Sequence, residues 1–169
     1  MAAPLFSVNT QRYDPYRTFK FQIVIGGVVV AGLSKMTALK KTIEVIDWRF
    51  AGDNSQMRKL PGGTSYEPIT LEAGLTHDPT FMDMANRVNN FDGDGAMSLA
   101  GYRTDMFVNV LNLQGQVALS YQVRKAWVSE FQALPDLDAN TMNAVGIQMI
   151  KLEHEGWVQD LTVPEPVET

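Results

Sequence analysis

Along residues 18–25, Phe19, Phe21, Ile23 and Ile25 alternate with Thr18, Lys20, Gln22 and Val24. This period of two marks a strand with one buried face. Gly26-Gly27 and then Val28, Val29, Val30 and Ala31 follow. The order predicts a tight hairpin, because two-residue turns need positive φ, which glycine adopts without steric cost. Residues 39–50 carry Ile43, Val45, Ile46 and Trp48. They read as a third strand whose apolar face changes sides between Val45 and Ile46, as at a bulge. A fourth strand is cleaner: Ile69, Leu71, Ala73 and Leu75 alternate with Thr70, Glu72, Gly74 and Thr76.

The period then changes. Asp78 and Pro79 read as a helix start, with a carboxylate for free N–H groups and proline at the first helical position. Phe81, Met82, Met84, Ala85 and Val88 form the apolar stripe of that helix. It ends near Asn89 and Asn90, and a glycine-rich loop follows over residues 91–101. Strands return over residues 105–113, 116–131 and 143–157. In the middle one, Val117, Leu119, Tyr121 and Val123 face opposite to Gln116, Ser120, Gln122 and Arg124. Its length predicts bending across a barrel or extension beyond the subunit. Residues 133–141 are turn chemistry. The organisation is an arm over residues 1–15, one domain over 16–158 and a disordered tail over 159–169. The fold class is mainly β, a sandwich or barrel-like domain of antiparallel strands with one helix.

Between the third and fourth strands lies WRFAGDNSQMRKLPGG, residues 48–63. It reads as a long polar loop holding Arg49, Asp53, Asn54, Arg58 and Lys59, closed by the turn former Leu60, Pro61, Gly62 and Gly63. Loops of this length inside a compact domain are uncommon and usually functional or disordered. Nothing in it is catalytic, so it reads as an assembly element that reaches another copy of the chain.

Composition narrows the function classes. The 169 residues carry a net charge of −5 with scattered basic groups, which argues against binding nucleic-acid duplexes. With no cysteine, disulfides, thiolate metal sites and cysteine nucleophiles are excluded. The start of the chain lacks the basic-then-apolar pattern of a secretory signal, and no run reaches membrane-spanning length. Synthesis in the cytoplasm, without membrane insertion of the monomer, is the expectation.

Candidate chemistry is thin. His77 beside Asp78 has no nucleophile turn to complete a triad, and Gly26-Gly27 lacks nucleotide-binding spacing. Asn90, Asp92, Asp94 and Gly95 match the first half of a calcium loop, but its twelfth position is Gly101 rather than glutamate. A flexible Asx/Gly loop is the better reading. Glu153 and Glu155 read as a solvated pair on one strand face, and His154 as hydrogen-bonded filler. Trp48, Trp127 and Trp157 read as core or interface anchors. No catalytic residue, metal or cofactor is expected.

The residues Asp14, Pro15, Tyr16, Arg17, Phe19 and Phe21, then Val29 through Ser34, introduce a more specific pattern. Gly52-Asp53-Asn54, the run Arg58 to Gly62, and Tyr66 with Ile69, Thr70 and Leu71 complete it. In this order and spacing, over residues 13–157, the chain resembles the tail-tube (inner-tube) proteins of contractile phage tails and injection systems. It resembles the haemolysin-coregulated tube protein more remotely. It departs from that pattern at Ala73, where a basic residue is common, and at Met82 and Met84, where tryptophan is.

The resemblance implies hexameric rings stacked into a hollow tube, enclosed by a sheath whose contraction drives the tube through a target envelope. Implied partners are other copies of the chain, the sheath, baseplate and tube-tip or terminator proteins, and effector or DNA cargo in the lumen. The implied location is an assembled tail or a released injection particle. Arg49, Asp53, Asn54, Arg58, Lys59, Leu60, Pro61 and Gly62 become the candidate ring-stacking loop. Thr70, Glu72, Gln116, Ser120, Gln122 and Arg124 become lumen candidates, with an outward, sheath-facing orientation as the alternative. Competing readings are a monomeric β-barrel that binds a small ligand and a tube-initiating baseplate component.

Overall fold

The structure, a computed structural model, describes residues 15–30, 32–52, 54–89 and 100–166. Strands β1 (Phe21–Ile25) and β2 (Val28–Val30) pair antiparallel around Gly26-Gly27. The φ angles of these two glycines, 58° and 85°, are those a mirror-image two-residue turn requires. Ile23 and Ile25 are buried, but Phe19 precedes the strand and is exposed, so the expected alternation starts two residues late. Strand β3 (Leu33–Met36) was not foreseen. It is four residues long, too short to display a period.

The remaining strands are β4 (Lys41–Trp48), β5 (Arg58–Tyr66), β6 (Ile69–Gly74), β7 (Thr104–Leu111), β8 (Val117–Gln132), β9 (Ile147–Glu153) and β10 (Trp157–Gln159). The main sheet runs β2-β1-β7-β8-β9-β6-β3, with β10 on β8, and among the described residues β4 and β5 form a separate two-stranded sheet. The expected last strand over residues 143–157 is therefore two strands. Gly156, at φ 132°, breaks it, and β10 then pairs with β8 instead of extending β9. The tail also begins later than residue 159: Gln159 lies in β10, and the Asp160 N–H donates to Ser120 O at 2.8 Å.

The 16 residues of β8 turn the sheet over. Its first part pairs with β7 and β10, and its second part with β9. At the turn, Arg124 and Lys125 together oppose Asp105, between the pairs Met106↔Val123 and Thr104↔Ala126. This is a bulge, which bends a strand and increases its twist. Lys125 adopts φ 52°, and its N–H donates to the Asp105 carboxylate at 3.0 Å.

The two halves of the sheet enclose one core. Ile23, Met106 and Val123 meet Ile69, Leu71, Ile150 and Leu152 there, all fully buried. Helix α1 (Thr80–Val88) adds Phe81 and Met84 to that core and packs on β8. Met82 stays exposed, so the expected stripe is narrower by one residue. Pro79, not Asp78, is the residue immediately before the helix, and it has no capping side chain. Asp78 instead accepts hydrogen bonds from both the N–H and the hydroxyl of Thr80. Both bonds hold its carboxyl below the ordinary carboxylate range, the hydroxyl more strongly.

Candidate functional site

The candidate assembly loop is mostly strand. Arg58, Lys59, Leu60, Pro61 and Gly62 lie in β5, paired with β4 through Trp48↔Arg58, Asp47↔Lys59, Ile46↔Leu60 and Val45↔Pro61. Only residues 49–57 connect the two strands. Leu60 to Gly63 therefore forms no turn. Gly62 and Gly63 oppose the single residue Glu44, between Ile43↔Thr64 and Val45↔Pro61. A Cβ on Gly62 would stand 3.1 Å from Ile46 Cγ1 and 3.2 Å from the Glu44 carbonyl oxygen. Glycine is thus needed for close backbone approach at a bulge. A bulge was expected in this neighbourhood, but it falls one step earlier than Val45 and Ile46, and the doubled side is β5.

Backbone hydrogen bonds from Thr37 N to Thr70 O and from Glu67 N to Lys40 O carry the ladder between the β3–β6 pair and the β4–β5 pair. The ribbon is thus an extension of the body's own hairpin. Its base is held by the Lys40–Glu67 ion pair and by His154. The Gly156 N–H donates to His154 Nδ1 at 3.2 Å. The imidazole must then carry its proton on Nε2, which donates to Glu67 O at 3.0 Å. The Tyr66 ring packs against both His154 and Gly156.

Every residue of β4 is exposed, and so is nearly every residue of β5. Alternation puts Ile43, Val45 and Pro61 on one face and Ile46, Trp48 and Leu60 on the other. Val45 is 57% exposed and Ile46 49% exposed, so among the described residues neither face is covered. Isolated two-stranded ribbons are marginal in water, and soluble monomers rarely leave such apolar surface open. At the far end, Trp48 stacks edge-on to Phe50 with ring centroids 4.0 Å apart. The Arg58 guanidinium lies over Phe50 at 5.5 Å. Arg49, Lys59 and Asn54 are exposed nearby, and Asp53 lies outside the described residues.

The lumen candidates do not form one surface. Thr70 and Glu72 lie on the outer face of β6, where Lys35 pairs with Glu72 at 3.1 Å. Gln122 reaches Asp105 at 3.3 Å on β8, and Arg124 is exposed at the bulge. Gln116 precedes β8 and is tied to Asn112, whose Oδ1 accepts from the Gln116 N–H at 2.8 Å. Ser120 is 5% exposed and donates to Asn109 Oδ1 at 2.8 Å, so its hydroxyl lines no open surface of the subunit. Period-two reasoning put Ser120 among exposed polar groups and could not show its burial or its bond to Asn109 on the neighbouring strand.

Two features escaped the sequence reading. Residues 133–146, of which 133–141 read as turn chemistry and 143–146 as the start of the last strand, expose Leu134, Leu137, Met142 and Val145, with Met142 95% exposed. Leu134, Leu137 and Val145 border a cleft of about 980 Å³ together with Asp136 and Asp138. Four apolar residues without period between two strands were the available signal. The second feature is a cavity of about 570 Å³ between the sheet halves, lined by Phe21, Met36, Leu39, Val110, Leu119 and Tyr121, with Pro15 to Thr18 along its rim.

Among the described residues, the side chains weighed as candidate chemistry do not converge. Glu155 lies in the β9–β10 break, paired with Arg103 at 3.4 Å and Lys125 at 3.0 Å. It shares no strand face with Glu153, which corrects the expected pair. Trp127 and Trp157 pack against Tyr102 and Tyr121. Among the described residues, no group of three His, Asp or Glu side chains converges on a metal position. The Asx/Gly segment from Asn90 to Leu99 lies outside them, as do residues 1–14 and Ala31. No helix among them is long and apolar enough to cross a membrane.

These features define a mainly β protein whose conspicuous surface is an exposed ribbon with apolar residues on both faces. Residues 17–158 match the family of the T4-like virus tail tube protein gp19, and the chain belongs to that family. A search of curated proteins finds no match. Among solved structures, the chain is similar to the tube-terminating cap of the anti-feeding prophage, with TM-score 0.73 and 23% identity, covering 95% of this chain and 99% of that one. It is similar to a chain of the sheath-tube complex of the PVC extracellular contractile injection system, with TM-score 0.71 and 19% identity over 86% and 91% of the two chains. Hcp1 from Flavobacterium johnsoniae is a more remote likeness, with TM-score 0.52 and 13% identity over 82% and 93%. The fold is the mainly antiparallel tube-protein fold with one helix, and the protein is a structural tube component.

Proposed function

We propose that this chain forms six-membered rings that stack head to tail into a hollow tube, the inner conduit of a contractile tail or injection particle. The observation that carries this reading is the β4–β5 ribbon, which has apolar residues on both faces and is left exposed among the described residues. A ribbon of this kind is stable only when neighbouring copies sandwich it. A contact between two different surfaces of the same chain propagates when its rotation does not close. Short edge strands β2 and β3 limit unwanted pairing outside the assembly.

In this reading the ribbon makes the ring-to-ring contact. The polar groups Thr70, Glu72, Gln116, Gln122 and Arg124 serve as hydrated wall, toward either the lumen or the sheath. Cargo, whether DNA or effector, passes without turnover, and the chain has no catalytic role. Synthesis is cytoplasmic, and the particle is the working location. Charge reversal R58E/K59E is expected to leave the core folded, with unchanged circular dichroism, and to abolish stacked tubes in electron micrographs. Normal tubes from that variant would refute the stacking role.

A second reading, a cap or initiator at one end of the tube, is favoured by the extent of the likeness to the anti-feeding prophage cap. It predicts single rings that never elongate. The cavity of about 570 Å³ is the feature a ligand-binding monomer would need, but that reading leaves the ribbon's apolar faces without a purpose.

A further inference from the structure

The ribbon and the 133–146 loop stand at opposite ends of one strand pair. β5 leads through Glu67 and Pro68 into β6, whose first residue Ile69 pairs with Leu152 near the end of β9. At the other end Gly74 pairs with Ile147, and the Leu75 N–H donates to Gly146 O at 3.0 Å. The pair is six residues long, about 20 Å at strand rise, and β4 extends the same ladder outward by eight residues, about 26 Å more.

The two ends are chemically opposite. Residues 47–60 carry Arg49, Arg58 and Lys59 against two carboxylates, together with exposed Phe50 and Met57. Between Lys125 and Lys151 there is no basic residue, while Glu130, Asp136 and Asp138 fall in that interval. The loop's shape is held by Asp138, which accepts from the Asn140 N–H at 2.9 Å and the Thr141 hydroxyl at 3.1 Å. Its Leu134, Leu137 and Val145 flank an open cleft.

We propose that the basic, aromatic end of the ribbon docks into the acidic, apolar cleft of loop 133–146 on a second copy. The inference rests on the tube reading and names the receiving surface for it. Opposite charge fixes which end meets which, and the exposed apolar groups on both sides supply the area removed from water. Since donor and acceptor lie at opposite ends of one axis, each docked copy offers a fresh ribbon and a fresh cleft. The contact therefore repeats without closing on itself.

Because the chain has no cysteine, introduced thiols report this contact alone. Protein carrying Gln56→Cys is mixed with protein carrying Ala139→Cys, assembled, and oxidised. Disulfide-linked heterodimers are expected in at least about tenfold excess over homodimers, with neither variant cross-linking by itself. Assembly without heterodimers would overturn the inference and leave the tube reading standing. If the wild-type chain forms neither rings nor tubes, both fall. Should a thiol variant fail to assemble, K59E and D136K decide instead. Each alone is expected to shorten assemblies and the pair in one chain to restore them, and failure of the pair to restore them overturns the inference.

Discussion

Lys125 is the residue on which the sheet turns, and it does so in a backbone conformation that costs a non-glycine residue about 1–2 kcal/mol. Its ion pair with Glu155 is exposed on both sides and contributes little. Lys125→Gly is therefore expected to stabilise the subunit by about 0.5–1 kcal/mol net of glycine's greater chain entropy. That corresponds to a melting temperature higher by roughly 1–4 °C; a fall would show that the side chain holds the bend. Three aspartates follow another local rule. Asp78, Asp138 and Asp160 each accept hydrogen bonds from the residues that follow, and these bonds lower their carboxyl pKa. Their folded pKa lies below the unfolded one. Their contribution to stability is full above the unfolded value near pH 4, and is lost as pH falls through the lower folded values. Melting temperatures are expected to be insensitive to these groups between pH 5 and 7 and to drop toward pH 3. Asp160→Ala is expected to be less stable than wild type at pH 7, with the difference shrinking at pH 3.

The ribbon separates stability from assembly at the scale of elements. Ile150 and Leu71 are fully buried, and truncating either to alanine is expected to cost about 2–5 kcal/mol in chemical denaturation. Ile46→Ser with Leu60→Ser, on the exposed ribbon, is expected to change unfolding of the isolated subunit by no more than about 0.5 kcal/mol while preventing tubes. Loss of the fold would mean that the ribbon is part of the core. The same element explains what the sequence could tell. The β1–β2 hairpin, β6, the long β8 and the helix were legible because each buries one face and so prints a period. The ribbon buries neither face, so Ile43, Val45, Ile46 and Leu60 show no consistent side. Pro61 and the two following glycines then read as a turn, although Gly62 and Gly63 are a bulge in a strand. The break at Gly156 was invisible for a related reason, because either continuation or a switch of partner satisfies the local pattern. Residues 133–146 were not legible as a surface because unperiodic apolar residues among turn formers carry no direction until strand pairing places them.

For the whole molecule, one bent sheet with a single core carries two outward-facing ends of opposite character. The order of hairpin, strands, one helix and strands, together with the motifs around Arg58 to Gly62, was enough to suggest the tube family from sequence. The stretch over residues 48–63 was also legible as an assembly element, but the proposed receiving loop was not, because only strand pairing puts the ribbon at one end of the β6–β9 ladder and loop 133–146 at the other. The central claim is that this chain builds a tube from itself. Negative-stain electron microscopy of the purified wild-type chain over a concentration series tests it most directly. The account predicts six-fold rings and hollow stacked tubes that lengthen with concentration; uniform monomers at every concentration would contradict it.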